Sequence, residues 1–192
     1  MRRARPERVP DRETLRGELV RRLQALQALK AGALRMFDPM LATVSRARED
    51  QALAEVADLL GRMHGNFSRH RDATAGHAGT LAVRLTELGA KPSRTKGAAV
   101  GAGSAVRARA GALGGMDFGA AARDAFVFEH LEIAQAHLLE QLATRAGDEI
   151  TAGVACTIRG SDEEMAAIIN RNWANVLSLT LATAGLPLMR DA

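Results

Sequence analysis

Aromatic residues make up only 3% of this 192-residue chain, and it has no tyrosine. The core must therefore be built from Ala, Leu, Val, Ile and Met. No basic stretch carries the interleaved aromatics on which nucleic-acid bases stack. Cys156 is the only cysteine, so no internal disulfide forms and a secreted disulfide scaffold is excluded. It reads as a small buried hydrophobe. No run of eighteen or more apolar residues occurs, which leaves nothing to span a membrane. The twin arginine Arg2-Arg3 has no apolar core after it. The N-terminus therefore does not read as an export signal, and a cytoplasmic location is expected. There is no Gly-x-Ser-x-Gly elbow and no phosphate loop, and Cys156 has no base near it in sequence, so nucleophilic catalysis finds no support.

Hydrophobic residues reach 47%, enough for a sizeable core in a chain of single-domain length. Ala and Leu, both strong helix formers, dominate while β-branched runs are scarce, which predicts an all-α protein. The net charge of +4 is uneven. Arg2, Arg3, Arg5, Arg8 and Arg12 outweigh Glu7 and Asp11, and an acid-free stretch holds Lys91, Arg94, Lys96, Arg107 and Arg109. Such arms can bind nucleic acid, although most are solubilising tails and loops.

Residues 1–10, with two prolines and no periodicity, read as a disordered basic arm. A single helical domain is expected over 11–187, followed by a tail at 188–192. The first helix is predicted from Asp11 to Phe37, where Asp38-Pro39 marks a break. The second runs from about Asp50 to Gly89. Leu53, Leu60, Phe67, Thr74, Leu81 and Leu88 recur every seven residues, with Val56, Met63, His70, His77 and Arg84 beside them. That stripe implies packing in a helical bundle and turns His70, Thr74 and His77 inward. Residues 90–117, rich in glycine and alanine, read as a long crossover with a marginal helix between Ala98 and Leu113. The third bundle helix is predicted over Phe118–Ala146, with Val127, Leu131, Ala134, Leu138 and Leu142 on one stripe and Phe128, Glu132 and Leu139 on the next. A short extra helix, Asp148 to Ile158, precedes a fourth long one from Asp162 to Ala184.

The stretch Phe128-Glu129-His130-Leu131-Glu132-Ile133-Ala134 places two carboxylates inside an otherwise apolar helix. Such groups are costly to bury unless a cation compensates them. Four amphipathic helices with a crossover after the second and inward carboxylates and histidines fit a ferritin-like antiparallel four-helix bundle. Bundles of this kind hold two metals with a Glu from each of two helices and a Glu-x-x-His pair from each of the others.

Three stretches also resemble the YciE/YciF ferritin-like family: His70-Arg71-Asp72-Ala73-Thr74-Ala75-Gly76-His77, the Phe128–Ala134 segment, and Gly147-Asp148 followed by Asp162-Glu163-Glu164-Met165-Ala166. The resemblance implies a stress-associated metal-binding bundle with iron or manganese as cofactor. Its candidate ligands in this chain are Glu129, Glu132, His77, His70 and Asp162. This chain departs from the family pattern at several positions. Lys30 falls where the first helix has an inward Glu, and Ala73 where the second has one. Ser161-Asp162 replaces a Glu-Glu pair. Met165 stands where ferritin-like spacing would place a ligating His. The expectation is therefore a reduced or lost di-metal centre with a structural or interaction role, in which Lys30 pairs with Glu132 or Glu129. The alternatives are an iron or manganese oxidoreductase, or a DNA-associating protein that uses the basic arm. A homodimer is expected because ferritin-like helices often pair.

Overall fold

The computed structural model describes residues 12–91 and 117–188. The basic arm, the proposed helix at 98–113, most of the basic crossover and residues 189–192 lie outside them. The first helix, α1, spans Arg12–Glu49 and runs through Pro39 instead of stopping at Phe37. Proline inside a helix costs about 3 kcal/mol. Here the apolar stripe carries on past it, with Phe37, Met40 and Val44 all buried and Pro39 itself facing solvent. Burying Met40 and Val44 gains about 1.5–3 kcal/mol each, so the helix continues. After Asp50, whose carboxylate accepts the Ala52 amide at 2.9 Å, a 3-10 turn over Gln51–Val56 feeds α2, Ala57–Glu87. The α3 helix covers Phe118–Ala146 as expected, capped by Asp117 and closed by Gly147 at φ +70°. That left-handed conformation suits glycine.

The predicted break at Gly160-Ser161 does not occur. Residues Glu149–Arg171 form one helix, α4. Its inward stripe of Thr151, Ala155, Ile158, Asp162, Met165 and Ile169 is continuous, and Gly160 lies on the exposed side. The chain breaks instead at Asn172. The Asn172 Nδ2 donates to the Ile168 carbonyl at 2.7 Å, and its Oδ1 accepts from Asn175 Nδ2 at 2.7 Å. These local bonds compete with the helical ladder. The short helix α5, Trp173–Thr183, follows. Cys156, expected to be buried, is exposed beside the buried Ala155.

Three apolar clusters show how the helices run. At one end, Leu19, Leu23 and Leu26 of α1 meet Leu81 and Leu85 of α2, Ala136, Leu139 and Ala143 of α3, and Ala155 and Ile158 of α4. Further along, Ala33, Phe37 and Met40 meet Phe67, Ala125, Phe128, Met165 and Ile169. At the far end, Val44 and Leu60 pack with Phe118 and Leu179. Thus α1 and α4 run one way, and α2 and α3 the other. α2 ends at one end of the bundle and α3 begins at the opposite end. This is an antiparallel four-helix bundle with one crossover, the connectivity of ferritin-like folds. The beginning of α4 is fastened to α2 by Arg84, which donates to both Asp148 oxygens at 2.8 and 2.9 Å and to Thr151 Oγ1 at 2.8 Å.

The two stripes of α3 differ in exposure. On α3 Val127, Leu131, Ala134 and Leu138 face solvent, while Leu142 at the end of that stripe packs against the first apolar cluster. The buried side carries Ala125, Phe128, Glu129, Glu132, Ala136 and Leu139. Small residues and carboxylates fill the tight interior here, while larger apolar side chains lie outside. Among the described residues no helix is long and apolar enough to cross a membrane.

The continuity of α4 gives a direct expectation. A Cβ at Gly160 would meet nothing within 4 Å. Gly160→Ala should therefore stabilise the fold by about 0.5–1 kcal/mol in urea denaturation, whereas a turn at this position would give no gain.

Candidate metal centre

On every bundle helix the step from the first apolar cluster to the second is interrupted by polar residues, and all of them lie in one layer. Lys30 sits between Leu26 and Ala33 on α1, and His70 follows Phe67 on α2. Glu129 and Glu132 lie between Phe128 and Ala136 on α3, and Asp162 between Ile158 and Met165 on α4. Lys30, Glu129, Glu132 and Asp162 have no exposed surface, and His70 is 6% exposed.

The Lys30 ammonium donates to Asp162 Oδ1 at 2.6 Å and lies 3.1 Å from Glu132 Oε2. Its nearest partner is thus Asp162. Of the two glutamates it takes Glu132, while Glu129 turns to His70, with Nε2 and Oε1 3.0 Å apart. That approach is not aligned as a hydrogen bond, and both atoms lack a hydrogen-bond partner. So do Glu129 Oε2, both Glu132 oxygens and Asp162 Oδ2. The 3.1 Å Lys30–Glu132 contact is therefore an electrostatic approach rather than a directed bond.

Burial is the largest influence on each member. It pushes the Glu129 and Glu132 carboxyls up to about 8, because the nearby ammonium only partly offsets desolvation and Asp162 adds like charge. Asp162 is raised for the same reason, again against the pull of Lys30. Burial alone would depress Lys30, but Glu132 and Asp162 outweigh it and hold the amine above its ordinary value. His70 is lowered to about 4 by burial and then by Lys30, and His77 to about 4 by burial, Lys30 and His70. The layer at neutral pH is a charged lysine hydrogen-bonded to Asp162, neutral imidazoles and two glutamates that retain protons.

His70, Glu129, Glu132 and Asp162 each offer one ligand atom, and these atoms lie within 4.8 Å of one another. That set is able to hold a metal ion. His77 stands outside it, half-buried, with Nδ1 unpartnered. Thr74 is fully buried near the layer, and its Oγ1 has no partner. His130 is on the surface, with Nδ1 2.8 Å from the Phe126 carbonyl. Met165 packs into the apolar cluster beside Phe67. The part that Asp162 plays was masked in the sequence by placing it at a helix start. Its seven-residue spacing from Ala155 and Ile169 was the available signal. Comparison with protein-family models finds no match to this chain, and comparison with curated proteins finds none either.

Removing the ammonium leaves the buried Asp162 carboxyl without its hydrogen-bond partner. Lys30→Ala should cost about 3–5 kcal/mol in urea unfolding at pH 7. Lys30→Met combined with Asp162→Leu should recover much of that loss, since an apolar pair replaces the ionic one. An unchanged unfolding midpoint in the single variant would rule out the pairing.

The pH dependence follows from the same shifts. Glu129 and Glu132 hold protons up to about 8 when folded but release them near 4.5 when unfolded, so their contribution falls as pH rises through that window. His70 and His77 act oppositely between about 4 and 6.5, losing stability as pH falls. The metal-free protein should therefore lose stability between about pH 6.5 and 8, where only the carboxyls contribute. Thermal melts should show that loss diminished in Glu132→Gln.

Proposed function

We propose that this protein is a ferritin-like bundle with a reduced metal centre. Lys30 takes the place of one metal, a single divalent ion completes the layer, and the centre serves to tie the four helices together. The observation that carries this reading is the Lys30 ammonium inside the layer, 2.6 Å from Asp162 and 3.1 Å from Glu132. A two-metal centre needs carboxylates on all four helices to neutralise and bridge its ions. Here α1 contributes a cation, and α2 has Ala73 where a glutamate would serve.

Charge supports one ion. Three ionised carboxylates and one ammonium leave the layer two charges negative, which one divalent cation neutralises. The orphaned oxygens of Glu129, Glu132 and Asp162 and the His70 nitrogen supply the donors. A set dominated by carboxylate oxygen with one imidazole suits manganese or ferrous iron. When bound, such an ion supplies positive charge and cross-links α2, α3 and α4. Lys30 keeps Asp162 and Glu132 in place, and the apolar clusters on either side keep water out of the layer. His70 is already neutral at pH 7, whereas Glu129 and Glu132 must give up protons to act as ligands.

Anaerobic loading with Mn2+ or Fe2+ and elemental analysis should give one ion per chain. Affinity should tighten as pH rises to about 8 and level off above it, with protons released on uptake. Bound ion should raise the melting temperature of the wild type but not of His70→Ala/Glu129→Ala. Two ions per chain, or none, would contradict the proposal.

A further inference from the structure

The outward face of α3 has the pattern of a helix–helix seam. Val127, Leu131 and Leu138 are 54%, 53% and 52% exposed, and Ala134 between them is exposed as well. Their spacing alternates three and four residues, the period at which one helix covers another. Isolated exposed leucines are ordinary, but an aligned row on a single helix marks an interaction surface. The same row continues to Asp124 at its N-terminal end and Arg145 at its C-terminal end, about 30 Å apart along the helix.

We propose that this face pairs with α3 of a second copy of the chain, antiparallel, about a two-fold axis near Ala134. The end charges select the occupant and its direction. In an antiparallel pair, Asp124 of each copy comes within reach of the partner's Arg145, and symmetry makes that contact twice. A parallel pair would set acid beside acid and base beside base. Another candidate occupant, the segment 92–116, is acid-free and carries Arg94, Lys96, Arg107 and Arg109. It offers Arg145 no counter-charge. Asp124 already touches Arg123 on its own helix at 2.9 Å. That pair lies at the surface, where such contacts contribute little, so it does not prevent the intermolecular one. In the centre Leu131 of each copy lies opposite Leu138 of the other, and the two Ala134 residues meet near the axis. This surface is separate from the buried layer, so its test does not depend on metal binding.

The test is sedimentation equilibrium on the full chain across a concentration series. The wild type should sediment at twice the chain mass. Leu131→Glu, a solvent-facing change, should sediment at the chain mass with unchanged helical circular dichroism. Asp124→Arg should weaken the dimer by about tenfold or more, and Asp124→Arg combined with Arg145→Asp should restore it. That restoration cannot come from a general effect on folding. A wild type monomeric at every concentration would overturn the proposal, and so would a dimer indifferent to Leu131→Glu or a double variant without recovery. A monomer destabilised by Leu131→Glu would assign the face to the chain's own crossover instead.

Discussion

A lysine ammonium with no solvent contact, set among three carboxyls from two other helices, is the constraint on which this bundle turns. Desolvating such groups is expensive, and their attraction compensates only when the partners arrive in the right geometry. Lys30 meets Asp162 and Glu132, while Glu129 meets His70. All four bundle helices are thereby referred to one layer. Sliding any helix by one residue would turn its polar member by about 100° and leave an unpaired charge in the core. The apolar clusters on either side supply the bulk of the stability but fix register only loosely, because side chains of similar volume such as Leu, Ile and Met substitute for one another with little penalty. The polar layer sets the alignment.

The same layer holds protons against the pull of its own ammonium. With one ammonium against three carboxyls, burial holds protons on the glutamates into the mildly alkaline range. A bound divalent ion would occupy the role those protons fill. Lys30 and its partner Asp162 are the fixed charged pair of that layer.

Much of this was legible in the chain. The helical content, the crossover, the span of α3 and the inward position of His70 follow from seven-residue periodicity. The pairing of Lys30 with a carboxylate of the Glu129–Glu132 stretch is expected from the family resemblance, which sets Lys30 at an inward position, together with the cost of burying charge. What was misread has physical causes. Pro39 and Gly160 carry helix-breaking propensities, but both lie on exposed faces of stripes whose burial outweighs a local penalty of a few kcal/mol or less. Treating Gly160 as a break put Asp162 at a helix start and hid its closest contact with Lys30. On α3 the more hydrophobic stripe is the outer one, because the interior is too narrow for it and is lined by Ala125, Ala136 and the two glutamates. Periodicity identifies stripes; it does not choose between two of them when the core itself is polar.

The central claim is that Lys30 is a buried, permanently charged member of the layer, held by Asp162. Nitrogen-15 NMR of the lysine side chains tests it most directly. The account predicts one ammonium resonance at neutral pH whose protons exchange slowly with water, which stays protonated through the pH range of the fold and is lost in Lys30→Ala. Its exchange should quicken in Asp162→Asn. If every lysine ammonium exchanged at the rate of a surface side chain, or if Lys30 lost its proton near neutral pH, the account would be contradicted.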